Sequence, residues 1–194
     1  MRKNLEIDWF WKLKNECVNK WENIYHLVIL PMSREPHEVV RETFFCLEKI
    51  NYPKNKLIVV LGIEKRCGEE AQNIAKKIER EFSGIFFKFL ITEHPENIEG
   101  ELAGKGSNEA WAARKAKEFI DDKNLSYKDI LVSVFDIDTH LEPNYFACLT
   151  YNFLTTEAPH RSSYHPIPLF LNNIETAPAF ARVISFSATF WHMM

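Results

Sequence analysis

Apolar positions in this chain gather into short runs separated by longer stretches of mixed charge, and that alternation predicts the order of elements. Residues 25–30, Y-H-L-V-I-L, form a near-continuous apolar run closed by Pro31, as a strand buried on both faces requires. Similar runs recur at 57–63 (L-I-V-V-L-G-I), 85–91 (I-F-F-K-F-L-I) and 130–135 (I-L-V-S-V-F). The intervening stretches have helical periodicity. After Pro36, well placed for a first turn, Val39, Val40, Phe44 and Leu47 share one face, and the pattern ends before the N-Y-P-K-N turn around Pro53. Residues 69–82 place Ala71, Ile74, Ala75 and Ile78 among charges. A polar loop over 92–106 leads into a helix over 107–121 rich in Ala, Glu, Lys and Arg. Upstream, Ile7, Phe10, Trp11, Cys17, Val18 and Trp21 recur near helical spacing, interrupted by Lys14, which predicts an amphipathic leading helix. Its Trp9, Phe10 and Trp11 are read as packing residues rather than as a membrane-surface anchor.

Strands separated by helices of ten or more residues need crossovers, so the expected fold class is α/β: a mostly parallel, Rossmann-like sheet with helices on both faces. The domain reading is an N-terminal helix in residues 1–23 followed by one domain over 24–194, without internal repeats. In such sheets ligands bind beyond the carboxyl ends of the strands, which directs attention to the loops at 31–35, 64–68 and 136–140.

Composition narrows the class further. The chain has 194 residues, 46% hydrophobic and 26% charged, which excludes disordered, collagen-like and disulfide-scaffold proteins. Lys plus Arg number 24 against 27 Asp plus Glu, a net charge of −3, so no nucleic-acid partner is expected. Cys17, Cys46, Cys67 and Cys148 contain no C-x-x-C pair, which fits reduced thiols in a cytoplasmic protein. The opening M-R-K-N-L-E-I-D lacks the apolar core of a secretory signal, and no run of about 18 apolar residues predicts a transmembrane helix.

Candidate chemistry centres on D-I-D, Asp136 and Asp138, directly after the fourth apolar run. Two carboxylates at the carboxyl edge of a parallel sheet suit Mg²⁺ or Mn²⁺ held jointly with substrate phosphates. His140 adjoins them, while His160 and His165 stand in a Pro-containing loop and read as solvated or acceptor-lining residues rather than a second metal site.

Taken in order, these motifs resemble glycosyltransferase family 2 of the GT-A fold, in its processive, cellulose-synthase-like branch. The first strand with its Pro and the S-R-E loop resembles the family's opening segment, which implies nucleoside contacts from Pro31 and Glu35. The second strand, L-I-V-V-L-G-I-E, places Glu64 where the family presents an acid near the base. G-K-G-S-N-E-A resembles the segment that opens the helix before the D-x-D strand, implying that Lys105 and Asn108 approach the nucleotide. The resemblance further implies Asp138 as metal ligand and Asp136 as a ligand to metal or ribose, with Mg²⁺ or Mn²⁺ as cofactor. The implied function is inverting transfer of a hexose from a UDP-sugar to a glycan or lipid-linked acceptor.

After Asp138 the family's E-D or T-E-D base motif and its Q-x-x-R-W motif have no match, so the chain is expected to hold the donor half of a longer enzyme. The catalytic base is therefore left unassigned, with Glu157, in T-T-E-A, as a candidate substitute. Y-H-P-I-P-L-F-L-N-N resembles the segment after the acceptor-side strand, and the branch commonly continues into transmembrane helices, which implies the cytoplasm or the cytoplasmic face of a membrane. Two other readings compete with this one. A nucleotide-sugar-binding module without catalysis lacks nothing the sequence contains, whereas a haloacid-dehalogenase-like phosphatase reading of V-F-D-I-D-T-H-L needs later acidic residues, and no Asp follows Asp138.

Overall fold

The computed structural model describes residues 5–168 and 178–191. The chain divides into two compact units, Met1–Pro159 and His160–Met194.

In the first unit, four parallel strands, β1 (Tyr25–Pro31), β2 (Leu57–Glu64), β3 (Lys88–His94) and β4 (Ile130–Val134), lie in the order β3-β2-β1-β4. Helix α1 (Trp9–Glu16) precedes them. Crossovers α2 (His37–Glu48), α3 (Gly68–Phe82) and α4 (Lys105–Asp122) join them in turn, and α5 (Tyr145–Thr155) follows β4. The expected α/β class with a parallel sheet between helices is therefore the observed one. Side chains alternate along β1 and β2. Val28, Leu30, Val59 and Leu61 pack with Phe44 of α2 and Ile78 of α3, whereas Leu27, Ile29, Ile58 and Val60 pack with Ala112, Ala116 and Ile120 of α4. Burial on both faces explains why these strands read as unbroken apolar runs.

Connectivity fixes the location of a cleft. From β1 the chain steps outward to β2 and then β3, after which α4 carries it back across the sheet to β4 on the far side of β1. Loops leaving β1 and β4 consequently diverge, and a topological switch point opens between them at the carboxyl edge. Strand β4 is an edge strand, with Val132 and Val134 exposed.

Three elements differ in extent from the apolar pattern. Helix α1 starts at the Asp8 cap, whose carboxylate accepts the Trp11 N–H at 2.9 Å, and stops at Glu16, the backbone leaving helical geometry at Cys17 (φ −118°, ψ 41°) before a left-handed Asn19 at φ 61°. Its buried residue is Leu13, while Trp11 and Val18 are exposed; Phe10 and Trp21 instead meet edge to face at 5.4 Å. Strand β3 begins at Lys88 rather than residue 85, since the Ile85 N–H bonds to Phe82 O and the Phe87 N–H to Lys54 O, making this segment a turn. Helix α4 begins at Lys105, two residues before the expected start, with Ser107 Oγ accepting the Gly104 N–H at 3.1 Å.

In the second unit the described residues include α6 (Ala179–Trp191), where Phe180, Val183 and Ile184 are exposed. Y-H-P-I-P-L-F-L-N-N lies outside the described residues from 169 onward. No described helix is long and apolar enough to cross a membrane.

Candidate donor-binding cleft

A cleft of about 310 Å³ opens at the switch point, lined by Pro31, Met32, Ser33, Glu35, Glu64, Lys105, Asn108, Asp136, Ile137 and Asp138. All seven residues singled out for donor or metal contacts are among them. They come from four places in the chain: the end of β1 with its loop, the end of β2, the start of α4, and the turn after β4.

One backbone oxygen ties three of these walls together. Gly62 O, on β2, accepts the Met32 N–H at 2.7 Å and Asn108 Nδ2 at 2.9 Å. Asn108 is therefore a buried strap from α4 to the sheet and not a helix cap. Its Oδ1 is buried without a hydrogen-bond partner. Glycine leaves room at position 62: a Cβ there would stand 2.9 Å from Asn108 Oδ1, so the Asn108 side chain would have to shift.

The D-I-D turn is displayed by its middle residue. Ile137 is buried in the core and its carbonyl accepts Thr43 Oγ1 of α2 at 2.6 Å, while the Thr139 N–H closes the turn on Asp136 O at 3.0 Å. Asp136 and Asp138 on either side are exposed to the cleft. Lys105 Nζ bonds to Asp136 Oδ1 and lies 3.9 Å from Glu109 Oε1. Glu35 Oε2 accepts the Ser33 N–H at 2.7 Å, folding the loop after β1 into the cleft wall. Glu64 is buried, and Arg66 clamps it with Nε at 2.6 Å and Nη2 at 3.0 Å. That contact and the Glu64 charge hold the Arg66 pKa above its ordinary value.

Glu64 also lines a second cleft of about 150 Å³, together with Arg66, His94 and Glu101. There Glu101 accepts from His94 Nε2 at 3.0 Å and from Arg114 at 2.9 Å, which hold its carboxyl below the usual range, His94 contributing most. Glu157 is exposed just after α5 and lines neither cleft. His140 approaches Glu42 at 4.0 Å, and His160 and His165 belong to the second unit.

No family model matches this chain, and no curated protein matches it. Among solved structures it is similar to the "Mannosyltransferase PcManGT from Pyrobaculum calidifontis in complex with GDP-Man and Mn2+". Identity is 16% and the TM-score 0.46, over 77% of this chain and 40% of that one. The chain thus spans less than half the length of that protein. At this distance the likeness assigns neither family nor ligand, and the site is read from its own residues.

Sequence reasoning missed Arg66 and Thr43. Arg66 had a signal in the acid-x-Arg spacing that follows the second apolar run; Thr43 had none, because its partner is a carbonyl 94 residues away.

Proposed function

We propose that this chain carries the donor site of an inverting, metal-dependent glycosyltransferase of the family 2 type, moving a hexose from a UDP-sugar to a glycan or lipid-linked acceptor at the cytoplasmic side of a membrane. The observation that carries this reading is the convergence of Pro31, Glu35, Glu64, Lys105, Asn108, Asp136 and Asp138 on one cleft at the switch point of a parallel sheet. Four separate segments supply them in the order the resemblance requires.

The chemistry follows from the leaving group. A nucleotide-sugar donor departs as a diphosphate, so the site must stabilise developing negative charge. Lys105 and the first N–H groups of α4 supply positive potential where α4 meets the cleft. Asp136 and Asp138 offer hard oxygen ligands. Among the described residues no cluster of three or more His, Cys, Asp or Glu could hold a metal unaided, and two carboxylates fit Mg²⁺ or Mn²⁺ completed by phosphate oxygens. When bound, that ion acts as a Lewis acid on the departing diphosphate. Pro31 and Glu35 border the nucleoside side. Glu64 borders the cleft as well, its carboxylate clamped by Arg66, which itself lines the second cleft. Inversion also needs a base for the acceptor hydroxyl; Glu157, exposed after α5 and lining neither cleft, does not stand beside the donor site in this structure.

Calorimetric titration of UDP with Mn²⁺, with EDTA, and with Asp138→Ala in Mn²⁺ tests the site. Binding that needs both metal and Asp138 is the expected result. Equal binding in all three, or none, removes D-I-D from the donor site.

A further inference from the structure

Lys105 is the first residue of α4, and the first turn of that helix contains no acidic residue. An ammonium at this end is opposed by the positive pole of the helix, so its placement there runs against local electrostatics. What offsets it is Glu109 one turn on, at 3.9 Å, and, in direct contact from across the cleft, Asp136, 31 residues away on the turn after β4. Both side chains remain open to solvent, 55% and 65% exposed, so the pair is weak and readily exchanged. The same Asp136 carboxylate is one of only two that the D-I-D turn presents for a cation, and the same Lys105 stands where a diphosphate would meet the helix N-terminus.

We propose that Lys105 is a displaceable counter-ion: it and the divalent cation are alternative partners of Asp136. This proposal rests on the donor-site reading above. A cation arriving at Asp136 releases Lys105, and a diphosphate arriving at Lys105 releases Asp136. Metal and nucleotide each remove the other's competitor, so their binding is mutually favourable, and by linkage each raises the other's affinity by the same factor. Lys105 is a positioning residue in this role as well as a contact to the nucleotide.

The test uses the whole chain and Mn²⁺ alone, with no nucleotide present. Lys105→Gln is expected to bind Mn²⁺ about two- to fivefold more tightly than wild type, the range for losing one exposed ion pair. Mg²⁺ added to the wild-type chain is expected to move the ¹⁵Nζ resonance of Lys105, a signature that mere relief of long-range repulsion would not give. Unchanged or weaker Mn²⁺ binding by Lys105→Gln, with binding still lost in Asp136→Asn, overturns the competition and leaves the donor site standing. Tighter binding with a stationary Lys105 resonance also overturns it. Mn²⁺ binding that is indifferent to both Asp136→Asn and Asp138→Ala overturns the competition and the donor-site reading together, whereas Mn²⁺ binding absent throughout overturns the competition alone, because the donor site completes its metal with phosphate oxygens and is tested by the UDP titration.

Discussion

His26 has no part in the cleft, yet it sets a pH limit on the fold. It is fully buried, with Nε2 bonded to Thr150 Oγ1 at 2.8 Å and Nδ1 unpartnered, and burial drives its pKa down to about 3. In the unfolded chain it titrates near 6.5. Between these values the unfolded state binds a proton that the folded state refuses, so stability is intact above pH 6.5 and is lost as pH falls through that window. This residue alone makes stability fall with each unit of falling pH, by on the order of 1 kcal/mol. Urea denaturation at pH 7 and pH 5 checks it, and His26→Phe should flatten the difference. Gly62 makes a second prediction at the same scale. Gly62→Ala should cost about 1–3 kcal/mol through its contact with Asn108. The loss should shrink in the Asn108→Ala background if the two side chains compete for one space.

Among elements, α2 matters to the site through one hydroxyl. Thr43→Val removes the donor to the Ile137 carbonyl, leaving a buried acceptor unmet, at a cost of about 1–3 kcal/mol. Metal-dependent UDP affinity should fall with it while far-ultraviolet circular dichroism stays unchanged, because the variant loosens the D-I-D turn and not the helix. Element order was legible in the sequence, and the limits of elements less so. Strands β1 and β2 are buried on both faces, so their apolar runs coincide with their extents. Near β3 the apolar residues Ile85, Phe86 and Phe87 belong to a turn in which only Phe86 is buried, and an apolar run in sequence does not distinguish a turn from a strand. The start of α4 was hidden behind G-K-G, two glycines that propensity assigns to a loop. Asp136, Asp138 and Lys105 were readable from their places relative to strands, and the local Glu64–Arg66 clamp left a signal in its acid-x-Arg spacing, whereas the Asn108 strap emerges only when α4 and β2 are brought together.

For the molecule as a whole, every residue lining the main cleft falls between positions 31 and 138, inside the unit that ends at Pro159. A chain shortened to residues 1–159 should therefore fold cooperatively and bind UDP with Mn²⁺ as the full chain does, within about twofold. Loss of binding in a shortened chain that still melts cooperatively would mean that the second unit contributes to the site. The Gly62 carbonyl has a consequence on this scale as well. By taking the Met32 amide and the Asn108 amide at once, it fastens the loop after β1 and the head of α4 to the same rung of the sheet. Two walls fastened to a common rung keep their spacing while both hydrogen bonds stand, so this part of the cleft is set before any ligand arrives. Entry of a ligand should then cost little ordering of the backbone, and the Met32 amide should exchange its hydrogen slowly in the empty protein as in the filled one.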